Sequence, residues 1–430
     1  MSDSPQHPPA TADPARTNWA GNYTFRAADL VEVTSVEHLQ QLVRSRPRIK
    51  ALGARHSFNH IADTPGTQIS VRNLRGIELD RQRRTVTVGP GITYGELAPW
   101  LDAHGLAVPN IASLPHISVV GACATATHGS GLHNGCLSTS VSALQLVNGS
   151  GELVHLSRAA NPDIFPGAVV GLGALGIVTA ITLDLVPSFQ MAQTVYENLS
   201  FDQLEHNLQA IFGAAYSVSL FTLWQNHRAT QVWIKRKLDT PEVPASPELF
   251  FGATLQTRKL HPLPGHSAEN CTEQLGLPGP SFERLPHFRM DYTPSSGAEL
   301  QTEFFVPLDR AFDAILALEQ LRDRITPLLY ITELRTVAAD DLWLGTAFGR
   351  PSLGIHFTWK QQLAAVLDLL PAIQSTLEPF GARPHWAKLF TLGSAQLRSL
   401  YPKFADFAAL RAQFDPDGRF RNEFLDEVLG

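Results

Sequence analysis

Between Pro109 and Gly135 the chain runs through a long stretch of Gly, Ser, Thr, Ala and His that is too often punctuated for a helix and too apolar for a linker. Long ordered loops of this kind are usually functional. Ala112-Ser113-Leu114-Pro115-His116-Ile117-Ser118, continuing to Gly121 and then to Thr125-Ala126-Thr127-His128-Gly129-Ser130-Gly131, offers many small donors and little bulk. Glycine and alanine permit close backbone approach while Ser and Thr donate hydrogen bonds, so such a surface can wrap a flat, polar ligand.

Around this stretch the pattern predicts a mixture of strands and helices. Leu30 to Val33 reads as a strand, Thr34 with Glu37 as a capping box opening a helix through Val36, Leu39 and Val43, and Ile49 to Leu52 as a strand. Further strands are expected at Thr67 to Val71 and Thr85 to Val88. A second capping box, Thr93 with Glu96, opens a helix with Leu97, Trp100 and Leu101 as its buried stripe and Gly105 at its end. A hairpin is expected about Asn148-Gly149-Ser150-Gly151, and a strand from Ile177 to Val186, where a first domain closes at Pro187.

The second half carries strand-like runs at Ser217 to Trp224 and Gln231 to Lys235, then a proline-rich irregular stretch over about 240–286. A helix around Phe312, Ile315, Leu316 and Glu319 follows, then strands at Leu329 to Thr336 and Gly354 to Trp359, and helices between Gln361 and Leu377, with Pro371 a kink or fresh start. This order points to α+β, and 430 residues suggest two domains.

A net charge of -6 gives no basic field for nucleic acid, so small-molecule partners are expected. Three scattered cysteines form no CxxC, which argues against a disulfide framework or a zinc site. Residues 1–17 read as a disordered polar tail without a signal peptide, and no run is long enough to span a membrane, so a cytoplasmic, monomeric enzyme is expected.

Two motifs invite readings that their context rejects. Gly171-Leu172-Gly173-Ala174-Leu175-Gly176 matches GxGxxG, but it opens the β-branched run Ile177 to Leu183 instead of a helix, so the glycines are expected to make a tight turn into a strand. His56 and His60 could be metal ligands one helical turn apart, yet Gly53 and Ser57-Phe58-Asn59 argue for a loop, and no metal site is expected. In that loop Gly53 and Ala54 let backbone N–H groups converge on an anion, with Ser57 a further donor, as a pyrophosphate would require. Glu333 and Arg335 share one face of a strand, as do His356 and Thr358, so the four could line a pocket or simply face solvent.

Gly53-Ala54-Arg55-His56-Ser57-Phe58-Asn59, Pro109 to Ser118, Glu333-Leu334-Arg335-Thr336 and Arg383-Pro384-His385-Trp386-Ala387-Lys388 stand in the order found in bacterial alditol (xylitol) oxidases, which the chain resembles from about Asn18 to its C-terminus. That family lies within the vanillyl-alcohol oxidase superfamily of FAD-linked oxidases. The resemblance implies a PCMH-type FAD-binding domain of two subdomains over residues 18–187, an α+β cap domain over 188–388, and a C-terminal segment, 389–430, returning to the FAD domain. It implies FAD linked covalently through His56, with Gly53, Ala54, Arg55 and Ser57 at the pyrophosphate. Ser113, Ser118, Gly121, Thr125, Ala126, Thr127, His128, Val178 and His385 would line the cofactor.

Ser113, Glu333, Arg335, Thr358 and Lys388 would contact a polyol, with Arg335, Lys388 and Glu333 catalytic. The implied reaction oxidises the terminal hydroxyl of xylitol or sorbitol to the aldose and reduces oxygen to hydrogen peroxide. The alternative is an aldonolactone oxidase or dehydrogenase, which shares these motifs. Two departures stand out: Ala54-Arg55 where Ser-Gly is common, and Ala387 where a glycine is. Because Glu333 alone cannot balance Arg335 and Lys388, excess positive potential is expected in the pocket.

Overall fold

Leu39 and Val43 lie one helical turn apart on Val36–Ser45, and both are fully buried among Val33, Ile49, Ile69, Val147 and Ile177. In this computed structural model, which describes residues 16–238, 240, 245–292 and 298–430, the helix packs beside a parallel sheet ordered Asp29–Glu32, Thr67–Ser70, Ile49–Leu52. Its N-cap is Ser35 and not Thr34: the Ser35 hydroxyl accepts from the His38 N–H, and the expected capping box of Thr34 with Glu37 does not form. Of the expected tail, residues 1–15 lie outside the described residues, and Thr17 pairs with Thr24.

A five-stranded antiparallel sheet completes the first half, ordered Ile77–Asp80, Thr85–Val88, Ile177–Asp184, Val141–Val147, Leu153–Ser157. The capping box at Thr93 and Glu96 forms, opening Tyr94–Asp102. The GxGxxG turn leads into Ile177–Asp184, with Gly173 and Gly176 at positive φ. Within the long loop a short helix, Val119–Ala124, had not been foreseen; it buries Val119, Ala122 and Cys123. Helices Ser394–Leu400, Phe404–Phe414 and Glu423–Leu429 pack Leu397, Phe407 and Leu425 into the same core as Val86, Leu144 and Ile181.

The second half is built on an antiparallel sheet whose central strands run Arg228–Leu238, Ser217–Thr222, Leu329–Val337, Ser352–Lys360, Glu299–Pro307. One face presents Leu220, Ile234, Leu334, Ile355 and Phe357 to helices Phe201–Phe212, Ala311–Glu319 and Leu363–Leu377. Pro371 sits inside the last of these without dividing it. The opposite face carries polar side chains, yet it too is buried. These strands are covered on both sides, and the polar face turns toward the small-residue loop of the first half.

Candidate active site

One continuous cavity runs from the loop after Ile49–Leu52 to the polar face of the large sheet. At its first end Gly53 and Gly121 converge on Ser118: a Cβ at either would stand 3.1 Å or 2.7 Å from the Ser118 hydroxyl oxygen, so the two glycines leave that hydroxyl uncrowded in the cradle. Arg55 holds φ 63, a left-handed conformation that glycine adopts at no cost, which is why a glycine would be usual there.

The loop is fastened from both sides. Asn18 and Asn22 donate to the carbonyls of Ser57 and Phe58 at 2.9 and 2.8 Å, while Asn59 donates to the carbonyls of Trp386 and Lys388, each at 2.8 Å. The His56 ring stacks on Trp19 with centroids 5.3 Å apart. Burial, then the neighbouring His116 and Arg55, push its pKa down to about 4, so the ring is neutral; its Nδ1 is buried without a hydrogen-bond partner. His60 turns away to Glu427, its Nε2 3.1 Å from the carboxylate, so the two histidines do not converge. A neutral, unpartnered imidazole beside a glycine cradle fits a large cofactor with an anionic diphosphate.

At the other end, strand register decides which groups meet. Glu303 pairs across from His356, and His356 from Glu333, which puts three titratable side chains in one row across three strands. Glu303, 1% exposed, gathers two cations, Arg335 Nη2 at 2.7 Å and Lys388 Nζ at 2.6 Å, with His128 Nε2 3.0 Å away. Gly354, opposite Arg335 in the register, leaves the space for this cluster, since a Cβ there would lie 3.1 Å from Glu303 Oε1. Arg335 also donates to the Ser113 hydroxyl at 3.2 Å. Glu333 accepts from His287 Nε2 at 2.7 Å, with Arg335 Nε 3.6 Å and His356 Nδ1 3.7 Å away.

Burial raises the carboxyls of Glu303 and Glu333, but the cations outweigh it and hold both well below the usual range: Lys388 and Arg335 at Glu303, Arg335 at Glu333. Burial pushes the imidazoles of His287 and His356 down to about 4, so both are neutral. Glu303 together with Glu333 therefore balances Arg335 and Lys388, and the expected excess of positive potential is corrected. Glu303 is the counter-ion that had been missed; the alternation Glu299, Gln301, Glu303 along a buried strand was its signal in the sequence.

Gly53, Ala54, Arg55, His56, Ser57, Ser113, Ser118, Gly121, Thr125, Thr127, His128, Val178, Glu333, Arg335, Thr358, His385 and Lys388 all line the cavity. Ala126 does not: its side chain is fully buried in the core behind the loop, and with φ 55 it serves as the bend between Thr125 and Thr127. Glu333, Arg335 and Thr358 are 4%, 4% and 5% exposed, which rejects the reading of them as solvent-facing. Glu303, His287 and His356 join the cavity wall. Among the described residues no group of His, Cys, Asp and Glu is arranged to hold a metal ion.

Residues 27–157 match the FAD binding domain family, and residues 298–428 the D-arabinono-1,4-lactone oxidase family. Alditol oxidase of a Streptomyces species is 47% identical over 96% of this chain and 99% of its own length. L-Gulonolactone oxidase of Mus musculus is 26% identical over 96% of the chain and 97% of its own, and L-gulono-1,4-lactone dehydrogenase of Mycobacterium tuberculosis 27% identical over 97% and 99%. In fold, cholesterol oxidase from B. sterolicum superimposes with a TM-score of 0.78 at 14% identity, covering 100% of both chains.

Proposed function

The chain belongs to the alditol oxidase family of FAD-dependent oxidoreductases, and from that premise we propose that it oxidises the terminal hydroxyl of open-chain sugar alcohols, xylitol and sorbitol among them, to the aldose. The near full-length identity to an alditol oxidase carries this reading. The polar end of the cavity supports it, because Ser113, Glu333, Arg335, Thr358 and Lys388 offer donors and acceptors for several hydroxyls of one extended substrate.

FAD bound in this cavity would supply a hydride acceptor and a route for the electrons to oxygen, with hydrogen peroxide as the product. Gly53, Ala54, Arg55 and Ser57 would hold the diphosphate, His56 would carry the covalent link, and Ser118, Gly121, Thr125, Thr127, His128, Val178 and His385 would line the remainder. As hydride leaves the carbinol carbon the hydroxyl must lose its proton, and Arg335 and Lys388 would stabilise the alkoxide charge that develops. Glu333 would bind a neighbouring hydroxyl and orient Arg335. The proposed enzyme is a cytoplasmic monomer; its three cysteines are buried and free, as suits a reducing compartment.

The second reading, an aldonolactone oxidase or dehydrogenase, is favoured by the family matched over residues 298–428, which include Glu303, Glu333, Arg335, Thr358 and Lys388. Oxygen consumption over a panel of polyols, lactones and aldoses separates the two. Xylitol or sorbitol should be the faster substrate, and a gulono- or galactonolactone outrunning both would favour the second reading.

Two further outcomes are expected. Purified protein should be yellow and keep its colour with the polypeptide after acid precipitation, while His56→Ala releases its flavin into the supernatant; wild-type colour in the supernatant excludes the covalent link. Ser113→Phe should lower xylitol turnover by on the order of a hundredfold by displacing substrate from the reacting geometry. Turnover near that of the wild type would remove Ser113 from the reacting face.

A further inference from the structure

Lys235 lies in the strand Arg228–Leu238 on the cavity side of the large sheet, and it is 1% exposed. Its ammonium is wrapped by one short segment: Nζ donates to the carbonyls of Leu285 and Pro286 at 2.6 and 2.9 Å, and stands 3.1 Å from His287 Nδ1. Burial pulls the Lys235 pKa down to about 7, so the tautomer is fixed from the other side: Glu333 is a carboxylate and can only accept. The single proton of the neutral His287 ring therefore sits on Nε2, that N–H donates to Glu333 Oε1 at 2.7 Å, and Nδ1 is left to accept from Lys235. The rings of Trp233 and Phe221 meet the imidazole edge-on, with centroids 5.1 and 5.6 Å away, so it has little freedom to turn. The same segment is tied to the cofactor loop, because the N–H groups of His287 and Phe288 both donate to the Ser113 carbonyl, at 3.1 and 3.4 Å.

We infer that Lys235 is a positioning residue for Glu333, acting through His287 by fixing which ring nitrogen carries the proton. The inference rests on the proposed reading of Glu333 as a substrate-facing carboxylate. Without the ammonium, the carbonyls of Leu285 and Pro286 lose their donor, and a ring protonated on Nδ1 can satisfy one of them. Nε2 then becomes an acceptor, which favours a protonated Glu333. The protonated acid is a poorer acceptor for a substrate hydroxyl and a weaker partner for Arg335. Besides His287, Arg335 on the same strand, His356 on the next and Lys388 from its loop bear on Glu333, and none of them replaces the donor at Oε1.

The test is the pH profile of kcat/KM for xylitol in the flavin-loaded enzyme, with flavin content and thermal unfolding recorded for each variant. Lys235→Met should move the acid limb upward by about one pH unit, since a carboxylate that loses its donated hydrogen bond is easier to protonate. His287→Leu should move it at least as far, and the double variant should move it by clearly less than the sum of the two single shifts, because the lysine's hydrogen bond acts through the ring while only its charge bears on Glu333 directly. An acid limb unmoved in flavin-loaded Lys235→Met, or single shifts that simply add in the double variant, overturns the proposal. Should Lys235→Met fail to hold flavin, an acid limb unmoved in His287→Leu is sufficient to overturn it. Glu333→Gln tells this failure from that of the underlying reading: if it leaves KM for xylitol and the acid limb as they were, Glu333 does not face substrate at all.

Discussion

Lys388→Met lowers the rate of anaerobic flavin reduction by xylitol about a hundred- to a thousandfold, the usual loss when one preorganised charge is removed from a developing oxyanion. Methionine keeps roughly the volume of the lysine stem and deletes the charge. The effect is not one of net potential, because the ammonium is paired with Glu303 at 2.6 Å. What is lost is a donor already oriented on the cavity wall, whose direction costs nothing to set at the moment of reaction. Glu303 keeps Arg335 at 2.7 Å and His128 at 3.0 Å, so its charge stays compensated and stability changes little. Flavin content should be unchanged, because the loop around His56 is held through the backbone carbonyl of residue 388 and not its side chain. Reduction at the wild-type rate would make Lys388 a spectator.

Glu303→Leu, in contrast, destabilises the protein by about 3–5 kcal/mol, the range found when one partner of a buried charge cluster is removed and the others stay behind. Arg335 and Lys388, with side chains 5% and 11% exposed, both lose the carboxylate they share. Equilibrium denaturation at neutral pH measures the loss. The sign with pH follows from the same geometry: the native carboxyl of Glu303 lies well below its ordinary 4.5, so its contribution is complete above that value and vanishes as pH falls through the native pKa. The gap between wild type and variant should therefore narrow in acid. A gap that stays constant or widens there would mean that the carboxylate charge is not what stabilises the cluster.

Much of this site could be read from residue order, and the parts that could not share a physical cause. The Thr93 and Glu96 capping box, the turn at Gly171–Gly176 and the common face of Glu333 and Arg335 are local patterns, set by neighbours within a few positions. Thr34 and Ser35 are both competent caps one residue apart, and local pattern does not choose between them. Glu303, Lys235 and His287 escaped because each is defined by partners far away in the chain, His128 and Lys388 for the first, Glu333 for the last. A charged residue in a strand normally faces water. Here the large sheet is covered on both faces, and only the fold reveals that its polar side is an interior. The expected surplus of positive charge failed for the same reason, since it counted Glu333 and not Glu303.

The most direct test mixes the flavin-loaded enzyme with substrate in the absence of oxygen and follows the flavin absorbance, which isolates oxidation of the substrate from the reaction with oxygen. Xylitol or sorbitol should bleach the flavin rapidly, and gulono- or galactonolactone at the same concentration should do so slowly or not at all. Rapid bleaching by a lactone with no response to either polyol would contradict the assignment of open-chain sugar alcohols as substrates.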